Sequence, residues 1–246
     1  SKMPKVRFGF LSANNRRGTH YDDFLNLIPN DASVEIMPLN LWETSLYDLK
    51  GKTEEHIELV LKLQRKNQWD GIALMGAPMQ VQNPDHIDKL RAALSSIPIT
   101  TALEASTAAL KAFNACRVLL LTPFDDRLNT LLKNFLELEG LTIESPINNR
   151  SDTTKEDVNQ TEKRTTEDVL NLALESYEIF PSVKAIYFQG APLNPLHAID
   201  EIESRLGIPV IASNPAMFWH ISSLLGYNLP NVKGGRLMQE WPRIKT

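Results

Sequence analysis

Runs of apolar, β-type residues alternate with stretches of helical periodicity along nearly the whole chain. This alternation is typical of parallel strands covered by helices, so the pattern predicts an α/β fold. The predicted strands are Val6–Leu11, Ser33–Pro38, Gly71–Met75, Ile97–Thr101, Arg117–Thr122, Thr142–Ser145, Val183–Phe188 and Ile208–Ala212. The clearest amphipathic helix is predicted from Asp125 to Glu139, with Gly140 as its C-terminal cap.

The polar segment from Asn148 to Thr166 interrupts this alternation and holds hardly any apolar residue. We interpret it as a surface loop that leads into a helix from about Glu167.

An internal repeat is the most informative feature of the sequence. Gly76-Ala77-Pro78 follows a predicted strand and precedes a helix containing Ile-Asp and a strand opened by Ile-Pro. Gly190-Ala191-Pro192 stands in the same order of elements. The repeat predicts two quasi-equivalent halves, each a parallel sheet flanked by helices; the alternative is that two generic βαβ units resemble each other by chance.

The two Gly-Ala-Pro loops are the predicted ligand-binding loops. Ligands of open parallel sheets bind beyond the carboxyl ends of the strands, where both loops fall. Glycine allows a ligand to approach the backbone, and adjacent N–H groups can hold a carboxylate or an enolate oxygen. The alternative is that Gly and Pro only mark strand-to-helix turns. The substrate-binding candidates from the loops are Gly76, Ala77, Pro78, Gly190, Ala191 and Pro192.

Composition and charge narrow the function classes. At 246 residues and 42% hydrophobic, the chain can bury a sizeable core. Its 26 basic and 30 acidic side chains give a net charge of −4 without long runs of one sign, which argues against nucleic acid and membrane partners. No apolar run approaches the roughly 18 residues of a spanning helix, and the N-terminus lacks a signal-peptide pattern. We expect a cytoplasmic protein with a small-molecule substrate.

Several motifs together resemble the aspartate/glutamate racemase superfamily, and within it the branch of arylmalonate decarboxylase and maleate cis-trans isomerase. The motifs are Leu74-Met75-Gly76, Ile97-Pro98-Ile99-Thr100-Thr101, Leu121-Thr122-Pro123-Phe124-Asp125-Asp126 and Ser213-Asn214-Pro215-Ala216-Met217-Phe218-Trp219. The resemblance implies two pseudo-symmetric lobes with the active site in the cleft between them. We expect residues 1–115 and 213–246 to form the first lobe and residues 116–212 the second.

The chain departs from the family at its reactive positions. The resemblance implies a cysteine after a strand in each lobe, or in the decarboxylase only in the second lobe, together with small hydroxyl residues in the first loop and a tyrosine after the central strand. This sequence has Ala77-Pro78, Gln189 and Phe124 there. Cys116, the only cysteine, precedes a strand at the end away from the cleft and is expected to be a buried structural thiol. Chemistry that needs family thiols is therefore disfavoured.

Without these cysteines, another side chain must transfer the proton to or from the substrate. Glu104 follows a predicted strand at a helix N-terminus, so we expect it to face the cleft and act as the general base. The alternative is a capping glutamate. Gln189 would polarise a carbonyl through its amide. His20, Tyr21 and His220 are the other titratable candidates. Further substrate-binding candidates are Asn14, Asn15, Pro123, Phe124, Asp125 and Asn214.

The sequence therefore predicts a cofactor-independent lyase or isomerase that acts on a small carboxylate or carbonyl compound through an enolate-type intermediate. Two alternatives stay open: a hydrolase with a carboxylate-activated water, and a non-catalytic protein that binds a small anion. No metal-ligand spacing is recognised, so we expect neither metal nor cofactor. Because soluble enzymes commonly form homo-oligomers, a homo-oligomer is the default expectation.

Overall fold

Two parallel four-stranded sheets with the same strand order form the frame of the molecule. The computed structural model describes residues 3–14, 18, 20–147, 154, 161 and 163–246. The first sheet has the order β2-β1-β3-β4 and the second β6-β5-β7-β8. The strands are β1 (Val6–Ser12), β2 (Ala32–Pro38), β3 (Gly71–Met75), β4 (Ile99–Thr101), β5 (Arg117–Leu121), β6 (Thr142–Glu144), β7 (Ala185–Phe188) and β8 (Val210–Ala212). The α/β class and all eight predicted strands are confirmed: β3 has the predicted ends, and each of the other seven strands differs by one or two residues at one end.

Helices cover the sheets, as parallel strands require. They are α1 (His20–Leu25), α2 (Thr53–Asn67), α3 (Pro78–Gln82), α4 (His86–Ala93), α5 (Ala102–Ala112), α6 (Asp126–Leu138), α7 (Thr166–Ile179), α8 (Ile199–Leu206), α9 (Ser213–Leu224) and α10 (Gly235–Glu240). Short 3₁₀ helices lie at Leu46–Leu49, Ala191–Leu193 and Pro195–His197. The predicted helix from Asp125 to Glu139 corresponds to α6, and Gly140 follows it with φ of +93°.

The central strands are buried on both faces because each sheet is a layer between helices. Every residue of β3 and β7 is buried. Side chains alternate along β7, so Tyr187 packs into the larger core while Ile186 and Phe188 pack into the second core. This alternation also sets the direction of the residues that follow the strand.

The chain returns to the first sheet after β8. Helix α9 is buried on almost every side and packs against α5, β3 and β4. The proposed lobe boundaries, residues 1–115 with 213–246 and residues 116–212, stay a prediction. Across the described residues, none of the helices combines the length and apolarity that crossing a bilayer requires.

The predicted loop from Asn148 to Thr166 lies mostly outside the described residues. Its end is described: α7 begins at Thr166, with Thr165 as N-cap and a reciprocal hydrogen bond between Thr165 and Asp168. The helix predicted from about Glu167 is therefore confirmed.

Candidate active site

The carboxyl ends of strands from both sheets open into one cleft. The cleft holds about 710 Å³ of empty space, including the part open to solvent. It brings together ten residues that the sequence predicted for the site: Asn14, Gly76, Pro78, Pro123, Phe124, Gln189, Gly190, Ala191, Pro192 and Asn214. The placement of the two glycine loops on opposite sides of one cavity follows from the repeated strand order.

Both loop glycines have backbone conformations that suit glycine. The φ angle is +88° at Gly76 and +111° at Gly190. A Cβ at Gly190 would come within 2.5 Å of Pro123 Cδ, whereas a Cβ at Gly76 would meet no atom within 4 Å. After each glycine a helix begins with Pro in its first turn, at α3 and at Ala191–Leu193. The two loops thus present the backbone to the cleft in similar ways.

Asn14 is held in place at the end of β1. Its Oδ1 accepts a hydrogen bond of 2.9 Å from Trp42 Nε1, and its N–H donates to Ser12 Oγ at 3.2 Å. The amide nitrogen of the Asn14 side chain is thereby turned away from Trp42. Asn15 lies outside the described residues.

Gln189 is almost completely buried at the carboxyl end of β7, with 1% of its surface exposed. Its Oε1 accepts a hydrogen bond from the Tyr187 hydroxyl, and its backbone N–H donates to Leu121 O at 3.0 Å. The side chain lines the cleft at the position where the resemblance implies a thiol. An amide there can donate hydrogen bonds but cannot act as an acid or base near neutral pH.

Glu104 does not face the cleft, so that prediction is wrong. It lies in the first turn of α5, at the helix N-terminus as expected, and its N–H donates to Thr101 Oγ1 at 3.1 Å. Its carboxylate, however, makes a two-point ion pair with Arg91 of α4, at 3.0 Å and 2.5 Å. It borders a separate depression together with Lys111 and Lys245. The helix N-terminus was predicted correctly, but the partner on α4 determines where the carboxylate points.

Asp125 and Ala77 are not among the residues that line the cleft, contrary to their predicted roles in substrate binding. Asp125 caps α6 by accepting from Leu128 N–H at 2.9 Å, and it accepts from the Tyr47 hydroxyl at 2.7 Å and 2.8 Å. Its carboxylate oxygens are therefore used within the protein. The Ala77 side chain is fully buried in the core.

The histidines named as titratable candidates do not line the cleft. His220 bonds Thr100 Oγ1 at 2.6 Å through Nδ1, and burial lowers its pKa to about 4. His20 packs edge-on against the Tyr21 ring and borders a small recess beside Gly190. Cys116 lies immediately before β5 as expected, but its thiol is exposed, so the expectation of a buried thiol is wrong.

Tyr21 is the only titratable side chain that lines the described part of the cleft. It is buried, and its hydroxyl donates to Ser12 Oγ at 3.3 Å. The sequence indicated Tyr21 only as a neighbour of the first loop. No cluster of three or more His, Cys, Asp or Glu side chains suited to a metal ion occurs among the described residues.

Sequence reasoning missed several lining residues: Ser12, Leu46, Leu49, Met75, Met79, Thr161 and Ser213. Ser12 and Ser213 stand at the carboxyl ends of β1 and β8, so the rule that located the glycine loops also applies to them. Leu46 and Leu49 come from a 3₁₀ helix after β2, and no motif indicated that this segment turns into the cleft.

The sheets and the cleft define a parallel α/β protein with a cavity lined by residues from two similar sheets. Residues 36–238 match the arylmalonate decarboxylase family, and the chain belongs to this family. An arylmalonate decarboxylase of Bordetella bronchiseptica is 33% identical over 147 residues, which cover 59% of this chain and 60% of that protein. The match to this curated relative thus spans less than two thirds of its length.

Solved structures resemble the chain over nearly its full length. A crystal structure of arylmalonate decarboxylase has a TM-score of 0.79 and 25% identity, covering 95% of this chain and 99% of that chain. The Nocardia farcinica maleate cis-trans isomerase bound to Tris has a TM-score of 0.78 and 18% identity. The match covers 96% of this chain and 98% of the isomerase chain. The second likeness concerns the fold alone. The predicted superfamily branch is confirmed by the family match.

Proposed function

We propose that this protein is a cofactor-independent decarboxylase-type lyase that acts on a small dicarboxylate bearing an apolar substituent. The observation that carries the proposal is a cleft with uncharged hydrogen-bond donors, two glycine loops and one tyrosine, in a chain of the arylmalonate decarboxylase family. Such a cleft suits a reaction in which a carbanion is delocalised onto oxygen.

The lining of the cleft supports this substrate class. Leu46, Leu49, Met75, Met79 and Phe124 supply apolar walls, and no charged side chain lines the described part of the cleft. Apolar walls with a few placed polar groups are typical of small-molecule sites. An apolar substituent would lie against these walls, while the carboxylate oxygens would be bound by neutral donors.

The neutral donors of the proposed complex come from the two glycine loops and from Gln189. Backbone N–H groups of the Gly76 and Gly190 loops and the Gln189 amide would bind the enolate oxygen. Donors held in place before the reaction stabilise charge that develops in the transition state, and one such donor is typically worth about 100-fold or more in kcat.

Tyr21 is the proposed proton donor. The bond between the α carbon and one carboxylate breaks, CO2 leaves, and the electron pair forms the enolate of the remaining carboxylate. The Tyr21 hydroxyl then gives its proton to the α carbon, and the tyrosinate regains a proton from water. The support for this role is that Tyr21 lines the cleft and that its hydroxyl oxygen is held 3.3 Å from Ser12 Oγ.

A second candidate function is the binding of a small anion without catalysis. The observation that favours it is Gln189, an amide at the position where the resemblance implies a reactive thiol. A thiol-dependent isomerisation or a hydrolysis with a carboxylate base has less support, because neither a thiol nor a carboxylate lines the described part of the cleft.

Incubation with phenylmalonate, methylmalonate and malonate tests the proposal. The expected result is release of CO2 from phenylmalonate in preference to the other two, with one deuterium at the α carbon of the product when the reaction runs in D2O. Calorimetry on the same three compounds identifies the alternative: binding of phenylmalonate without CO2 release would replace the lyase by the binding function.

A further inference from the structure

Tyr187 lies in β7 and Gln189 is the residue after this strand, and their side chains lie on the same side of it. They are two residues apart, so their side chains share one face of the strand. Tyr187 is fully buried, and its hydroxyl donates a hydrogen bond to Gln189 Oε1. The pair therefore connects the core to the cleft: Tyr187 lies in the core, and Gln189 lies between Tyr187 and the cleft.

The Tyr187 hydroxyl acts as a hydrogen-bond donor in the core. Burial raises the pKa of Tyr187 above its ordinary value, and the neighbouring Ser106 hydroxyl offsets only part of this effect. The hydroxyl is therefore protonated near neutral pH. Its proton needs an acceptor because the group is inaccessible to water. The amide oxygen of Gln189 fills that need.

This hydrogen bond also determines which end of the amide faces the cleft. With Oε1 bonded to Tyr187, the two N–H groups of Nε2 are turned away from the tyrosine. In the described part of the chain no protein group accepts a hydrogen bond from Nε2. If the amide were reversed, Oε1 would face the cleft and repel an anionic oxygen, while the tyrosine would lose its hydrogen bond to the amide oxygen.

We propose that Tyr187 is a positioning residue, which holds the Gln189 amide so that its N–H groups point into the cleft as donors to a carboxylate or enolate oxygen. The inference rests on the proposed function for its effect on turnover. The orientation of the amide can be examined without any turnover. The site is thus built for an oxygen acceptor on the substrate at this point, and a substrate group that only donates hydrogen bonds has no partner there.

A double-mutant cycle tests the coupling. Tyr187→Phe keeps the ring but removes the donor, and Gln189→Met keeps the length of the side chain but removes the amide. Tyr177→Phe is the matched control, because Tyr177 packs against the second core and does not line the cleft. With phenylmalonate as substrate, we expect Tyr187→Phe to lower kcat about tenfold with little change in KM, and Tyr177→Phe to change neither.

The expected loss depends on Gln189. In the Gln189→Met background, the further change Tyr187→Phe should have no additional effect on kcat. Wild-type kcat in Tyr187→Phe, or an equal loss in both backgrounds, would overturn the inference, because a merely structural role of the tyrosine does not depend on the amide.

The side-chain amide resonances of Gln189 keep the inference testable if no variant turns over any substrate. In ¹⁵N-glutamine-labelled protein, the Gln189 amide is identified by its loss in Gln189→Met. We expect its two protons to shift or broaden in Tyr187→Phe and to stay unchanged in Tyr177→Phe. Unchanged resonances in Tyr187→Phe would overturn the inference, whereas a change without any turnover would refute only the proposed lyase.

If Tyr187→Phe does not fold, the orientation of the Gln189 amide can be measured in the wild-type protein. The Nε2 protons should then give stronger nuclear Overhauser contacts to cleft residues such as Phe124 than to the Tyr187 ring. Stronger contacts to Tyr187 would show the opposite orientation of the amide and overturn the inference.

Discussion

The hydroxyl of Tyr47 donates to the carboxylate of Asp125, 2.7 Å from Oδ2 and 2.8 Å from Oδ1, and so joins the segment after β2 to the start of α6. Arg127 lies over the Tyr47 ring, 4.7 Å from its centroid. These contacts connect elements of the two sheets beside the cleft. They also explain why Asp125 is unavailable to a substrate.

Loss of this hydrogen bond should affect both stability and binding. Tyr47→Phe is expected to lower the free energy of unfolding by about 1 to 2 kcal/mol, because a hydrogen bond to a charged group is removed at a half-buried position. Since Leu46 and Leu49 of the same 3₁₀ helix line the cleft, KM should rise as well. Urea unfolding and steady-state kinetics measure the two effects.

Asp125→Asn is the control for that change, because asparagine still caps α6 and still accepts from Tyr47. It should lose less stability than Tyr47→Phe. Equal stability of Tyr47→Phe and the wild type would show that the contact contributes nothing measurable.

Gly190→Ala should be strongly destabilising. The new Cβ would lie within 2.5 Å of Pro123 Cδ, and a φ of +111° is unfavourable for any L side chain. We expect a loss of about 2 to 3 kcal/mol, with reduced turnover because the loop must move. Thermal unfolding provides the measurement.

Gly207→Ala is the matched comparison, since φ is +69° there and a Cβ would meet no atom within 4 Å. It should lose only about 1 kcal/mol and keep its activity. Equal losses at the two positions would refute the steric account of the Gly190 loop.

Glu104→Gln should leave turnover unchanged. The carboxylate is paired with Arg91 away from the cleft, and the two side chains are 27% and 41% exposed, respectively. Solvent screening keeps such a pair weak, so we expect a loss of about 1 kcal/mol or less. A large fall in kcat at unchanged stability would restore Glu104 as a catalytic candidate.

His56 and His86 should make stability depend on pH below about 6.5. The two rings are joined by a 2.8 Å hydrogen bond between Nδ1 of His56 and Nε2 of His86. Burial lowers the pKa of His56 to about 3 and that of His86 to about 4. Below the ordinary histidine pKa, these two histidines are protonated in the unfolded chain but stay neutral in the folded protein. The free energy of unfolding therefore falls as the pH decreases toward 4.

His86→Gln should reduce this slope by at most about 1.4 kcal/mol per pH unit, the value for one proton. His197→Gln, at an exposed site, is the control. Urea unfolding between pH 4 and 7 measures the slope. Equal slopes in wild type and His86→Gln would contradict the buried neutral pair.

The fold was predictable because apolar runs and the repeated Gly-Ala-Pro loops are local signals that the packing preserves. The directions of the side chains in the site were not predictable in this way. Glu104 was placed correctly on its helix, but Arg91 from the preceding helix determines where its carboxylate lies. Asp125 was correctly seen at a helix start, but its oxygens bind Tyr47, which is distant in the sequence. Such pairings depend on tertiary contacts that no pattern of spacing contains.

The central claim is that Tyr21 delivers the proton in a decarboxylation within the cleft. The most direct test is the rate of CO2 release from phenylmalonate by wild type and by Tyr21→Phe, at equal folded concentration. The account predicts measurable release by the wild type and a loss of about 100-fold or more in kcat for Tyr21→Phe, with phenylmalonate still bound. Equal rates for the two proteins would contradict it.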